Sequence, residues 1–170
     1  MRRSIAAAGS ALFFALAPGV VAGVVPFWLT RWRAAPVPGG AVTRVIGVVV
    51  LVAAVPILIH AFGRFAIQGA GTPAPVAPTE HLVVTGPYRY VRNPMYVAVV
   101  AAIVGQALVL GRLVLLSYAA VVAAAFVAFV LVYEEPTLLR RFGAEYEAYR
   151  RGVRGWLPRL RPWNPGKLDP

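Results

Sequence analysis

The most polar stretch of the chain, GPYRYVRNPMYVA at residues 86–98, stands directly before an almost wholly apolar segment. It holds three tyrosines, two arginines, an asparagine and two prolines. Asn93 is a natural helix N-cap and Pro94 suits a first helical turn, so the stretch predicts a helix start. Backbone N–H groups at such a start favour a carboxylate, and tyrosine faces favour a sulfonium or ammonium cation. The stretch therefore predicts a site for a zwitterionic or cationic ligand.

Two acidic residues, Glu134 and Glu135, follow the last long apolar segment. We expect them at the C-terminal end of a helix, where the helix dipole disfavours negative charge. Consecutive helical residues point about 100° apart, so one of the two is expected to face the other helices and bind a cation or polar ligand. The simpler alternative is that both glutamates are solvated and that the tyrosines of residues 86–98 only anchor the membrane interface.

The composition indicates a membrane protein. Hydrophobic residues make up 59% of the 170 residues, only 14% are charged, and the mean hydropathy is +0.71. Without cysteine there is neither a disulfide nor a thiolate nucleophile, and two isolated histidines make a metal site unexpected. The net charge of +11 comes from arginines that flank apolar segments. Those arginines are expected to set topology and contact anionic lipids, and no nucleic-acid partner is expected.

We therefore predict an all-α integral membrane protein of one domain with about four transmembrane helices. The apolar segments lie at about residues 5–29, 45–62, 94–110 and 113–133, each near the ~17–25 residues that a span needs. Residues 135–151 place apolar side chains three and four positions apart, which predicts an amphipathic helix on the surface or over the site. His60, in the second segment, is expected to hydrogen-bond to a neighbouring helix.

The distribution of arginine predicts the topology. By the positive-inside rule, both termini and residues 63–92 are expected in the cytoplasm, with the chain in the plasma or inner membrane. The domain then divides into an N-terminal helix (1–33), a cytosolic loop (63–92), a helical hairpin (94–134) and a cytosolic amphipathic helix with a tail (135–170). This arrangement would bring residues 86–98 and the paired glutamates to the same membrane face.

The order of the motifs resembles a known family. GAGTPAP, LVVTGPYRYVRNPMY, EEPTLL and FGAEYEAYRRGVRGWLPR around an apolar hairpin are similar to the isoprenylcysteine carboxyl methyltransferases, which are related to membrane phospholipid N-methyltransferases. The resemblance covers about residues 60–160. It implies a bacterial-type membrane enzyme that uses S-adenosylmethionine without a Rossmann domain and takes a lipophilic acceptor from the bilayer. Carboxylate O-methylation is implied first. A phospholipid amine, a small thiol or phenol, and a non-enzymatic lipid-binding or assembly subunit are the alternatives.

The resemblance also implies a set of donor-binding residues. They are Glu80, His81, Leu82, Val83, Tyr88, Asn93, Pro94, Met95, Tyr96 and Glu134. Asn93 stands where the family usually has histidine, so it is assigned to donor binding and no catalytic base is assigned. Val130 stands where prenylcysteine enzymes carry an arginine for the substrate carboxylate. Arg150 or Arg154 would have to take that role.

Overall fold

The computed structural model describes residues 17–68 and 81–164, apart from the side chains of residues 65–68. Within these residues the chain forms helices and no strand. A short 3₁₀ turn, Gly86–Arg89, precedes the third helix. The helices are α1 (Ala17–Thr30), α2 (Gly40–Gln68), α3 (Pro94–Leu110), α4 (Leu113–Phe142) and α5 (Ala144–Gly152). The predicted all-α class is confirmed.

The helices have the character expected of membrane spans. Both α2, over Gly40–Arg64, and α4 are long and apolar enough to cross a bilayer, and α1 and α3 are shorter apolar helices. Within the apolar 18-residue stretch of each helix, only 17% is buried in the protein for α2 and 22% for α4. The core helix of a soluble protein would bury most of this surface, so the outward-facing side chains indicate an all-α membrane protein.

Two glycines let α2 and α3 approach each other closely. A Cβ atom on Gly47 would lie 2.8 Å from the carbonyl oxygen of Gly105, and one on Gly105 would lie 3.0 Å from the carbonyl oxygen of Gly47. Small residues allow this backbone contact between helices that cannot rely on the hydrophobic effect for association. The contact fixes where α3 begins relative to α2. It therefore also positions residues 86–93, the polar turn before α3.

Pro26 explains how α1 is attached to α3 and α4. A π-helical turn, Val20–Val24, precedes it, and the N–H of Val25 bonds to the carbonyl of Val20. The N–H of Val25, the usual donor to Val21, is thus used by Val20, and Pro26 has no N–H to donate to Ala22. The Tyr118 hydroxyl donates to the Val21 carbonyl at 2.9 Å, and the Gln106 side chain to the Ala22 carbonyl at 2.7 Å. Side chains of neighbouring helices thus satisfy the backbone groups that proline frees, as an apolar environment requires.

Some predicted boundaries are right and others are wrong. The third helix occupies the predicted residues 94–110 and is followed by Gly111 in the left-handed conformation, with φ of 65°. The loop predicted from residue 63 begins later, because α2 continues to Gln68. The fourth helix was predicted to end at Glu134 and Glu135, but α4 continues to Phe142. The predicted amphipathic helix is interrupted at Gly143, where φ is 49°, so its second half is the separate helix α5.

We expect Gly47→Ala to lower the melting temperature in detergent. The added methyl would press on the backbone of α3, and overpacking of this kind costs about 1–3 kcal/mol. Gly63→Ala, in the same helix, is the matched control, because nothing lies within 4 Å of its would-be Cβ atom. The control should be neutral or slightly stabilising, since alanine is the better helix former. Equal melting temperatures for the two variants would contradict the close packing of α2 on α3.

Candidate functional site

The tail of the chain holds the polar turn before α3. Residues 153–164 have no helix and lie along the turn. Four backbone N–H groups donate across this contact: Arg92 to Arg154, Asn93 to Gly155, Arg159 to Tyr90, and Trp163 to Arg89. The guanidinium of Arg89 adds a bond from Nε to the carbonyl of Trp163 at 2.7 Å and another to the side chain of Asn164. The turn and the tail therefore form one unit.

Tyr96 and Glu134 meet between the start of α3 and the second half of α4. The Tyr96 hydroxyl donates to Oε2 of Glu134 at 2.8 Å. The Tyr96 ring packs against Phe126, with ring centroids 4.7 Å apart, and faces Trp156 of the tail at 6.4 Å. A carboxylate bonded to the phenol of a tyrosine whose ring adjoins two further aromatic rings is an arrangement that suits a cation, because ring faces and carboxylate both attract positive charge.

A π-helical turn in α4 places the neighbouring glutamates on different partners. Residues Val130–Glu134 form this turn, and such single wide turns within α-helices are frequent at functional sites. Glu134 contacts Tyr96. Glu135 instead pairs with Arg92 of the turn at 3.0 Å and with Arg150 of α5 at 3.6 Å. The prediction was that one of the two glutamates faces the other helices, and the structure gives both a partner outside α4.

The Arg92–Glu135 pair is largely shielded from solvent. The Arg92 side chain is 14% exposed and the Glu135 side chain 16%. Nη1 of Arg92 also donates to the hydroxyl of Tyr146 at 3.2 Å. In such surroundings little water reaches the charges. Removal of one partner therefore leaves the other charge unpaired and poorly solvated. This pair joins the turn, α4 and α5 in a single network.

Aromatic residues of α5 pack beneath the turn. Tyr146 and Tyr149 are buried with Tyr88 and Val83, and the Tyr149 hydroxyl donates to the Tyr88 carbonyl at 2.7 Å. Burial, with smaller contributions from Tyr149 and Glu134, raises the pKa of Tyr88 well above its usual value. The Tyr88 phenol therefore stays protonated at neutral pH. The amphipathic segment thus packs against the turn through α5.

The structure gathers most of the predicted donor-site residues into one region. Tyr88, Val83, Leu82 and Met95 belong to the apolar cluster under the turn. Asn93 and Pro94 are buried, at the start of α3. Tyr96 and Glu134 form the hydrogen-bonded pair described above. His81 is exposed, and Glu80 lies outside the described residues.

Several assigned roles differ from the observed contacts. Asn93 occupies the N-cap position without a side-chain capping bond, and its backbone N–H donates to Gly155 rather than standing free for an anion. Arg150 is engaged by Glu135, whereas Arg154 is exposed and contributes its carbonyl to Arg92. His60 is exposed and accepts from Arg64 of its own helix at 3.4 Å, so the predicted bond to a neighbouring helix is wrong within the described residues.

Two aromatic residues of the site were not predicted. Phe126 was treated as part of an apolar span, and Trp156 as part of a tail without a helical pattern. Neither residue stands out locally in the sequence. Each is distant from Tyr96 along the chain and contacts it only in the folded protein.

A match to a known family shows which proteins this chain is related to. Residues 42–145 match the phospholipid methyltransferase family. The chain belongs to this family. No curated protein and no solved structure matches the chain significantly.

The part of the chain that matches the phospholipid methyltransferase family contains the elements that build the site. It runs from the start of α2 to the start of α5, and includes the turn, Tyr96 and both glutamates. Trp156 and the rest of the tail lie beyond it. The predicted relationship to membrane methyltransferases is thus confirmed, while the narrower resemblance to prenylcysteine enzymes stays a prediction.

The two glutamates should respond differently to the same substitution. Glu135→Gln leaves Arg92 partly unpaired and should lower the melting temperature; loss of a buried partner costs about 3–5 kcal/mol, and less here because the pair keeps some exposure. Glu134→Gln should melt near the wild type, since the amide oxygen still accepts from Tyr96. Thermal melts of both variants in one detergent make the comparison. A larger loss of stability in Glu134→Gln would contradict these roles.

Proposed function

We propose that this protein transfers a methyl group from S-adenosylmethionine to a lipophilic acceptor held in the membrane. The observation that supports this most is the hydrogen bond from Tyr96 to the carboxylate of Glu134, with the Tyr96 ring beside those of Phe126 and Trp156. It lies where two apolar helices of a membrane methyltransferase family meet a polar turn. S-adenosylmethionine has both a sulfonium and an ammonium group, and both suit aromatic faces beside a carboxylate.

The bound donor would supply an electrophilic methyl group attached to a positively charged sulfur. Tyr96 and Trp156 would hold the positive charge by their faces, and Glu134 would bind a polar group of the donor. The bond between Tyr96 and Glu134 fixes the carboxylate in advance, so little reorganisation is needed on binding. The packed tyrosines and Val83 would keep water away. Orientation and exclusion of water are the main contributions that an enzyme makes to a direct displacement.

A lipidic carboxylate is the acceptor that we propose first. A carboxylate already has the lone pair that forms the new oxygen–carbon bond, and it requires no base. This agrees with the engagement of Glu135 by two arginines and of Glu134 by Tyr96. Arg92 and Arg150 also place positive charge nearby, which would attract an anionic acceptor.

A phospholipid amine is the second candidate, because the matched family is named for phospholipid methylation. An amine must lose a proton for its nitrogen to form the new bond. For this acceptor Glu134 would have to take that proton, although Tyr96 already bonds to it. The two acceptors leave products of different stability, since a methyl ester is cleaved by mild alkali and an N-methyl group is not.

Protein in vesicles of native lipid extract, incubated with methyl-labelled donor, should transfer label to the lipid fraction. We expect alkali to release that label as methanol, and Glu134→Gln to lower donor affinity about ten- to a hundred-fold through loss of one charge-assisted contact. Binding of S-adenosylhomocysteine, measured by calorimetry, checks the affinity without need of the acceptor. Alkali-stable label would assign an amine acceptor. Absence of both label transfer and donor binding would contradict the enzymatic function and favour a lipid-binding or assembly subunit.

A further inference from the structure

A recess lies on the side of α3 that faces away from Glu134. It has a volume of about 740 Å³ and separates the second half of α2 from the turn and the start of α3. Pro94 and Val97 line it, whereas Tyr96, between them in sequence, points to Glu134. Since residues three apart share a helix face, one side of the first turn of α3 serves the recess and another serves the proposed donor site. The two sites are therefore separate but adjacent.

The recess has a cationic end. His60, Arg64 and Arg89 line it together. Arg89 is bonded to the tail through two neutral acceptors, a carbonyl and an amide oxygen, so its charge is not neutralised. Neither Arg64 nor Arg89 belongs to an ion pair among the described residues, and none of the carboxylates that the structure describes lines the recess. This end therefore favours an anion.

The remainder of the recess is apolar. Pro56 and Ile57 lie one to two helical turns before His60 and Arg64, on the same face of α2, and Val97 lies opposite. Ile57 is exposed. Along α2 the lining thus passes from apolar side chains within the span to cationic ones near its end. An amphiphile in a bilayer has the same order of groups, with its hydrocarbon chain within the membrane and its anionic head at the surface.

The polar end of the recess is also tightly built. Gly86 has φ of 57°, and a Cβ atom there would lie 2.9 Å from Nε2 of His60 and 3.3 Å from Cγ of Arg64. The turn thus rests directly on the two side chains that would contact an anionic headgroup. Whatever binds them would stabilise the turn that leads into α3.

We propose that this recess binds one anionic phospholipid. The phosphate lies against Arg64, His60 and Arg89, and an acyl chain runs along Ile57 and Val97. This lipid is distinct from the methyl acceptor, because α3 separates it from the Tyr96–Glu134 pair. It holds the turn against α2 and so stabilises the folded protein. The proposal does not depend on methyl transfer.

The test uses the full-length protein in phosphatidylcholine nanodiscs with increasing phosphatidylglycerol. Phosphatidylglycerol should raise the melting temperature of the wild type, and native mass spectrometry should find one retained phosphatidylglycerol. In Arg64→Gln we expect about fivefold weaker retention and a smaller thermal shift, as for loss of one basic contact at a membrane surface. Arg151→Gln removes the same charge from an exposed position on α5 outside the recess, and should behave as the wild type.

A second variant keeps the charges and fills the apolar part. Ile57→Trp should also lose the retained lipid, although Arg64 is intact. Equal losses in Arg64→Gln and Arg151→Gln would overturn the proposal in favour of general surface charge. The same thermal shift with inorganic phosphate in place of phosphatidylglycerol would show that the recess recognises free phosphate. Methylation of the retained lipid by labelled donor would show that the recess is the acceptor site. Only the last of these measurements requires donor binding. If the proposed enzymatic function fails, the lipid-retention and melting results can therefore still be interpreted.

Discussion

The ion pair between Arg92 and Glu135 holds the functional end of this protein together. Arg92 belongs to the turn before α3, Glu135 to α4, and the second cation of the pair, Arg150, to α5. Tyr96 follows Arg92 by four residues, and Glu134 directly precedes Glu135, so the pair lies next to both. Because both side chains of the closer pair are mostly shielded, the charges must stay matched for the fold to persist. The tail is fixed through the same turn, since the backbone of Arg92 donates to that of Arg154.

The π-helical turn in α4 contains Glu134 and lies directly before Glu135. It allows adjacent glutamates to have different roles: Glu135 neutralises arginines, and Glu134 is left for Tyr96 and, we propose, for the methyl donor. A charged group inside an apolar bundle is costly unless it is hydrogen-bonded, and residues of this kind in membrane proteins usually have a function. Trp156 of the tail adjoins the Tyr96 ring. Structure and proposed chemistry thus use neighbouring residues without competing for the same carboxylate.

Much of the fold followed from local sequence patterns, and the geometry of the site did not. Long apolar runs predicted the membrane class, and Asn93-Pro94 predicted where α3 begins. The predicted hairpin and topology brought residues 86–98 and the paired glutamates only to the same membrane face. The continuation of α4 past Glu134 could not be predicted, because the partners of the two glutamates are distant in sequence: Tyr96 bonds Glu134, whereas Arg92 and Arg150 pair with Glu135. The contact of Trp156 with Tyr96 is long-range in the same way.

The central claim is that the methyl donor binds between Tyr96, Trp156 and Glu134. A structure with bound sinefungin, a donor analogue whose amine stands in place of the sulfonium group, tests it most directly. We predict that this ammonium lies within about 6 Å of the Tyr96 or Trp156 ring centroid, the range of cation–π contacts, with a polar group of the analogue hydrogen-bonded to Glu134. An analogue bound elsewhere, for example in the recess between α2 and the turn, with the Tyr96–Glu134 pair untouched, would contradict the account.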